Sequence, residues 1–300
     1  MKIIVADKSG FCFGVKKAYK MCSGCFGGLF ETLGPLIHNE EILAQISEEG
    51  GRIINDPSES SGGRVVVRAH GISQCRYAEL KKRTSDILDA TCPFVLALQE
   101  SARGFYKEGY SLFIVGQGEH PEIRSITEDI PSRVIFSEEE ACAVGFEDRI
   151  ALISQTTEVE DKFERISEIL RGKCNDFKSK NTICLDVRER QKSAVDLAKK
   201  CDVVLVVGGR SSSNTRKLHM LCSKYARSYH ILDENEIKKD WLNNCEILGI
   251  VTGSSTSEDV IYRVRRRAEE MVGKDDLRKG FCLFFLDGSF GQGVVVGIFN

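Results

Sequence analysis

The sequence predicts an α/β protein of three pseudo-threefold-related lobes, each a small parallel sheet with flanking helices, around one central site. Three observations predict it. Short β-branched runs alternate with amphipathic helical patterns along the chain. One pattern of loops and strands occurs three times. A cysteine precedes each copy at nearly constant spacing: Cys12 stands 26 residues before His38, Cys92 stands 28 before His120, and Cys184 stands 28 before Ser212.

The elements follow in order. KIIVA opens the chain. The first copy reads GPLIHNEEI, then RIINDPSE, then RVVVRAHGIS. The second reads VGQGEHPEI, RVIFSEEEA and RIALISQTT. The third reads VGGRSSSNT, YHILDENEI and ILGIVTGSST. IIVA, RVVV, SLFIV, ALIS, VVLVV and ILGIV are β-branched runs of the kind found in buried parallel strands. FVLALQESARGFYKEG, EVEDKFERISEILRGK, SAVDLAKK and DVIYRVRRRAEEMVG have helical periodicity. In copies one and two a last strand, DILDA and then NTIC, leads to the next cysteine. Copy three lacks one, and KIIVA is expected to fill that place. The expected lobes are therefore residues 12–91, residues 92–183, and residues 184–272 with 1–11. Residues 273–300 are left unassigned, with GQGVVVGIF as either a last strand or the start of an appended module.

Composition narrows the function classes. The chain has 300 residues, 42% hydrophobic and 29% charged, which is a globular balance. A formal net charge of -2 removes the electrostatic case for nucleic-acid binding. No apolar run reaches the ~20 residues of a membrane helix. MKIIVADKSG has no secretory-signal character, so a cytoplasmic chain with reduced thiols is expected. In that setting the 12 cysteines point to metal binding or catalysis before disulfides.

If three equivalent lobes meet at an axis, Cys12, Cys92 and Cys184 converge there. Three thiolates can hold zinc or an iron–sulfur cluster. Structural zinc usually takes four protein ligands in close pairs, which these are not. A [4Fe–4S] cluster usually takes four cysteines, and holding it by three leaves one iron open as a Lewis acid. Each cysteine also precedes a helical segment, whose N-terminus favours thiolate. The alternative for any one of them is a buried structural thiol. Cys22 and Cys25 form a C-x-x-C without a partner pair.

The polar loops supply the rest of the site. His38, His70 and His120 fall on equivalent strand-end loops, where parallel sheets bind ligands. Glu122 lies two residues beyond His120, placed for general acid work. Thr156 offers a hydroxyl. Ser212, Ser213 and Asn214 stand between a strand and a helix, where an anion can be received, and Ser255 repeats the arrangement. Helix capping explains Ser and Asn there equally well. No Walker loop and no G-x-G-x-x-G is present, so a nucleoside triphosphate is not indicated. His219 and His230 suggest no chemistry. RVRRRAEE reads as a solvated helix face, with docking of an acidic carrier as the other reading.

GFCFGV, GPLIHN, RAHGIS, DATCP, GEHPE, SQTT, TIC…RQ, VVGGRSSSN and IVTGSST together resemble the 4-hydroxy-3-methylbut-2-enyl diphosphate reductase family of the non-mevalonate isoprenoid pathway. The likeness runs from residue 1 to about residue 270. It implies a three-lobed α/β fold around a [4Fe–4S] cluster held by Cys12, Cys92 and Cys184. It implies an allylic diphosphate substrate contacted by His38, His70, His120, Ser212, Ser213, Asn214 and Ser255. Glu122 would give the proton, with Thr156 near the substrate alcohol and His120 beside them. The implied reaction is a two-electron reductive dehydroxylation, fed by an external one-electron donor such as a ferredoxin or flavodoxin. The runner-up readings are a non-redox iron–sulfur hydro-lyase and a cluster-bearing sensor without turnover. The chain departs from the family at Ser254 and Ser257, which stand for an alanine and a proline, so the contact can fall on Ser255 or on Thr256. LDVRERQ after Cys184 is more charged than usual.

Overall fold

A computed structural model describes residues 1–272. These residues form three separate four-stranded sheets, all of whose strand pairs are parallel. The chain opens with β1 (Lys2–Val5). The first sheet follows, with α1 (Phe13–Ser23), β2 (Phe30–Leu33), α2 (Glu40–Glu48), β3 (Gly51–Ile54), β4 (Val65–Val67), α3 (Gln74–Arg83) and β5 (Ile87–Asp89). The second comprises α4 (Pro93–Lys107), β6 (Ser111–Val115), α5 (Pro121–Thr127), β7 (Ser132–Ile135), α6 (Glu138–Ala143), β8 (Glu147–Ser154), α7 (Glu160–Arg171) and β9 (Cys174–Ser179). The third comprises α8 (Leu185–Ala198), β10 (Val203–Val207), α9 (Ser213–Cys222), β11 (Arg227–Ile231), β12 (Ile247–Thr252) and α10 (Glu258–Val272).

The strand orders are β3-β2-β4-β5, β7-β6-β8-β9 and β11-β10-β12-β1. They are one topology repeated. β1 pairs with β12, Lys2 opposite Ile247, and takes the edge that β5 and β9 take elsewhere. Apart from β2, the two central strands of each sheet are the apolar ones. VVLVV of β10 is buried at every position, and burying each such side chain stabilises by roughly 1.5–3 kcal/mol.

Two strands escape the apolar-run reading. NTIC is not the last strand of the second sheet. That strand is the preceding CNDFKS, a half-exposed edge with no apolar run. Asn181–Cys184 is irregular chain, fastened where Ser154 N–H donates to Thr182 Oγ1 at 2.9 Å and Cys184 N–H donates to Thr156 O at 2.9 Å. β2 is central but reads FETL. Its Glu31, 4% exposed, is satisfied by the Arg52 guanidinium at 2.5 Å and by Ser61 N–H at 3.1 Å. The GQGVVVGIF segment lies outside the described residues.

This topology places the site. His38, His120 and Ser212 follow β2, β6 and β10, while His70, Thr156 and Ser255 follow β4, β8 and β12. Six loops thus leave the carboxyl ends of the six central strands. Gly208 permits the close approach of two of them. Its φ is 151°, and a Cβ there would meet Thr215 Oγ1 at 2.7 Å and Thr256 Oγ1 at 3.0 Å.

Candidate active site

Cys12, Cys92 and Cys184 are the N-cap residues of α1, α4 and α8. All three have extended backbone and are half-buried. Val15 N–H donates to Cys12 Sγ at 3.4 Å. A Cβ on Gly14 would lie 2.6 Å from Cys92 Sγ and 3.9 Å from Cys12 Sγ, so these two sulfurs are neighbours and only glycine fits between them. Burial pushes all three thiols up, Cys92 to about 11. Helix N–H groups oppose that rise at each one. Cys92 also senses the charges of Cys12 and Cys184, and Cys184 senses Cys12. Sulfurs this close resist becoming anions together unless a cation sits among them. Cys22 and Cys25 are core residues of the first lobe, Cys22 with its thiol pushed up to about 12.

The three histidines also converge. The His38–His70, His70–His120 and His38–His120 ring centroids lie 4.7, 5.3 and 6.0 Å apart. One nitrogen from each lies within 4.8 Å of the others, a spacing that admits a metal ion as well as an anion. The surrounding charge decides between them. His38 is pushed down by burial, then by Arg68 and Arg216. His120 is pushed down to about 3 by burial, His38, Lys217, Arg68 and Arg216. His70 is driven well below the usual histidine range by burial and its two histidine neighbours. The charges of Arg68, Arg216 and Lys217 near these rings favour an anion.

These histidines wall a cavity of about 50 Å³ with Ser212, Ser213, Asn214, Ser254, Ser255, Thr157 and Val15. Both side-chain polar atoms of Asn214 are buried without a partner among the described residues, as is His38 Nε2. Each such orphan costs about 1–3 kcal/mol unless a ligand or water meets it. Ser212 also caps α9, accepting Thr215 N–H at 3.3 Å, so capping and ligand binding share that loop. Ser255 faces the cavity and donates to His38 O at 2.9 Å. Thr256 is turned away, donating to Val207 O at 2.9 Å. Ser257 has a local task instead, accepting Val260 N–H at 3.3 Å at the start of α10.

Glu122 and Thr156 lie behind the His120 wall and do not line the cavity. Both are buried, Glu122 to 1%. Glu122 N–H donates to His120 Nδ1 at 3.2 Å. Thr156 donates twice to the carboxylate, from N–H at 2.6 Å and from Oγ1 at 2.7 Å. Burial raises the Glu122 pKa, against the pull of both Thr156 bonds and of Lys217.

Several residues of the site escaped the motif reading. Arg68 stands in RAHGIS, two residues before His70. Lys217 lies on α9, four residues after Ser213 and so on the same helix face. Its Nζ lies 3.0 Å from Glu158 Oε2 but makes no well-aligned hydrogen bond. Glu158 closes the SQTT loop. Arg190, in the charged LDVRERQ segment, is 2% exposed. It donates to Lys8 O at 3.2 Å and Thr252 O at 3.3 Å, tying α8 to the segments that lead to Cys12 and Ser255.

The family model described as "LytB protein" matches residues 3–269. A protein of Caldanaerobacter subterraneus named 4-hydroxy-3-methylbut-2-enyl diphosphate reductase is 37% identical over 287 residues, covering 92% of this chain and 99% of its own. One of Wolinella succinogenes with the same name is 36% identical over 278 residues, covering 91% and 100%. A solved structure of (E)-4-hydroxy-3-methyl-but-2-enyl diphosphate reductase has a TM-score of 0.64 at 31% identity, covering 90% of this chain and 99% of that one. The Plasmodium falciparum enzyme has a TM-score of 0.82 at 23% identity over 88% and 87% of the two chains, a likeness of fold. On the family match and these identities over nearly the whole chain, the protein belongs to the LytB family.

Proposed function

We propose that the chain reductively dehydroxylates 4-hydroxy-3-methylbut-2-enyl diphosphate to isopentenyl and dimethylallyl diphosphate. Two electrons and two protons enter and one water leaves. The observation that carries the reading is Glu122, buried, doubly bonded to Thr156 and bonded to His120 of the three converging histidines.

A [4Fe–4S] cluster fits the three N-cap cysteines. They offer thiol sulfur at the meeting point of three helix N-termini, and mutual repulsion and burial disfavour their free thiolates. When bound there, it supplies electrons one at a time and an open iron for the allylic oxygen. Everything else is work for the chain. His38, His70 and His120 receive diphosphate oxygens with neutral ring nitrogens. Asn214 gives its orphaned amide to the ligand, and Ser212, Ser213 and Ser255 add hydroxyls. Arg68, Arg216 and Lys217 supply positive potential from behind. Thr156 aims the Glu122 carboxyl, whose raised pKa keeps a proton ready for the departing hydroxyl. The burial that raises this pKa also keeps water from the reacting end. The cavity of about 50 Å³ is smaller than the 300–1,000 Å³ of ordinary ligand pockets, so the loops part to admit a diphosphate.

The test is anaerobic purification, iron and sulfide analysis with an electron paramagnetic resonance spectrum, and product analysis with a low-potential reductant. Both five-carbon diphosphates are expected. Iron-loaded protein that binds substrate and leaves it unreduced would turn the reading toward a sensor.

A further inference from the structure

We propose that the cysteine-capped helix ends form an outward docking face for an acidic protein that carries one electron at a time. The inference rests on the reductase reading and names the face its electron source uses. Phe13 and Leu185 directly follow Cys12 and Cys184, and Phe94 lies two residues after Cys92. Phe13 is 63% exposed, Leu185 60%, and Phe94 and Leu96 41% each. Large apolar side chains gathered at one exposed place mark an interaction surface. Val15, by contrast, lines the histidine cavity. The first turn of α1 therefore has the cavity on one side and solvent on the other. Electron transfer weakens steeply with distance, so a carrier gains by docking at the sulfur end. Cys12, Cys92 and Cys184 are themselves only half-buried.

Charge identifies the partner. Acidic residues usually complement the first turn of a helix, yet α1 and α4 have none there, and Asp186 in the first turn of α8 is paired with Arg190 at 3.4 Å. Beside Cys92 a cleft of about 360 Å³ opens between α3 and α4, lined by Lys81, Arg103, Tyr77, Thr91, Leu96 and Asp89. Lys81 lies over the Tyr77 ring, 4.9 Å from its centroid. Neither Lys81 nor Arg103 is in an ion pair among the described residues. Asp89 is occupied by Thr91 N–H at 2.9 Å. The arginine run of α10 is different. Arg265 and Arg266 each pair with a glutamate one turn on, at 3.0 Å, and Arg263 pairs with Glu41, Glu234 and Asp259. That face is already neutralised, which argues against carrier docking at RVRRRAEE. At the cysteine face each visit oxidises the carrier by one electron and reduces the bound centre by one. Two visits supply the two electrons that release one water.

The test uses anaerobically purified, iron-loaded protein, with iron counted first. An oxidised acidic ferredoxin is titrated in, and Kd is measured at low and high salt. The Lys81→Glu/Arg103→Glu variant is expected to raise Kd about tenfold and flatten its salt dependence. Arg265→Glu/Arg266→Glu is expected to bind like the parent. Phe94→Ser, which changes no charge, is expected to weaken binding while keeping the salt slope. Turnover driven by reduced methyl viologen stays unchanged in all three. Parent-like affinity in the Lys81/Arg103 variant, or a loss confined to the α10 variant, overturns the proposal. Iron-free parent protein overturns the reductase reading before any carrier is added, and this face falls with it.

Discussion

Thr156 holds the Glu122 carboxylate at both oxygens, its N–H on Oε1 at 2.6 Å and its hydroxyl on Oε2 at 2.7 Å. Glu122 is in the first turn of α5, which follows β6, and Thr156 is in the loop after β8. Their contact joins the proposed proton donor to the loop that Cys184 N–H also grips through Thr156 O.

Glu122→Gln is expected to keep the iron content and substrate affinity while lowering kcat by about 100-fold or more. The amide is nearly isosteric but has no proton of suitable acidity. Steady-state kinetics with an iron assay on the same sample checks this, and near-normal kcat would remove Glu122 from the role.

Thr156→Val deletes the hydroxyl bond and keeps the backbone one. Both bonds lower the Glu122 pKa against burial, so losing one moves it further up. The alkaline limb of the kcat profile should shift to higher pH, because a general acid stays protonated longer. A limb that moves down, or not at all, contradicts the assignment.

The histidines predict acid lability. Their folded pKa values lie below the ordinary histidine value, with His120 at about 3. The unfolded chain therefore binds more protons as pH falls from about 6.5. The stability they contribute is complete above that value and is lost as pH drops toward the folded one. Melting temperature should fall between pH 7 and pH 5, and pyrophosphate should blunt the fall by stabilising charged rings. Equal slopes with and without pyrophosphate would remove the histidines as its site.

Cys184→Ser is expected to lose or destabilise the iron centre, read as iron per chain and as a changed resonance spectrum. Full iron and an unchanged spectrum would show that another thiol serves.

Lys217→Met leaves Glu158, 1% exposed, with Lys162 at 3.4 Å as its one remaining ion pair among the described residues and Val159 N–H at 3.0 Å. Breaking such a buried pair costs about 3–5 kcal/mol. Lys217→Arg should recover most of it in denaturant midpoints. A loss below about 1 kcal/mol in the methionine variant would mean that water already solvates Glu158.

The sequence by itself determined the threefold repeat, the strand-end placement of the histidines and serines, and the cysteine register. Those follow from periodicity and spacing, which are local and survive in one dimension. It misjudged β2 and β9, because a buried glutamate and a half-exposed edge give no apolar run. Only the tertiary structure decided what the lobes do to one another. Lys217 finds Glu158 across a lobe boundary, and Arg190 spans two loops far from it in the chain. Asp129, at the end of α5, accepts Gln74 and Cys75 N–H groups at 2.5 and 3.1 Å, capping α3 from the neighbouring lobe. Such contacts depend on where three sheets meet, and no spacing along the chain encodes the distance between side chains that approach from separate lobes.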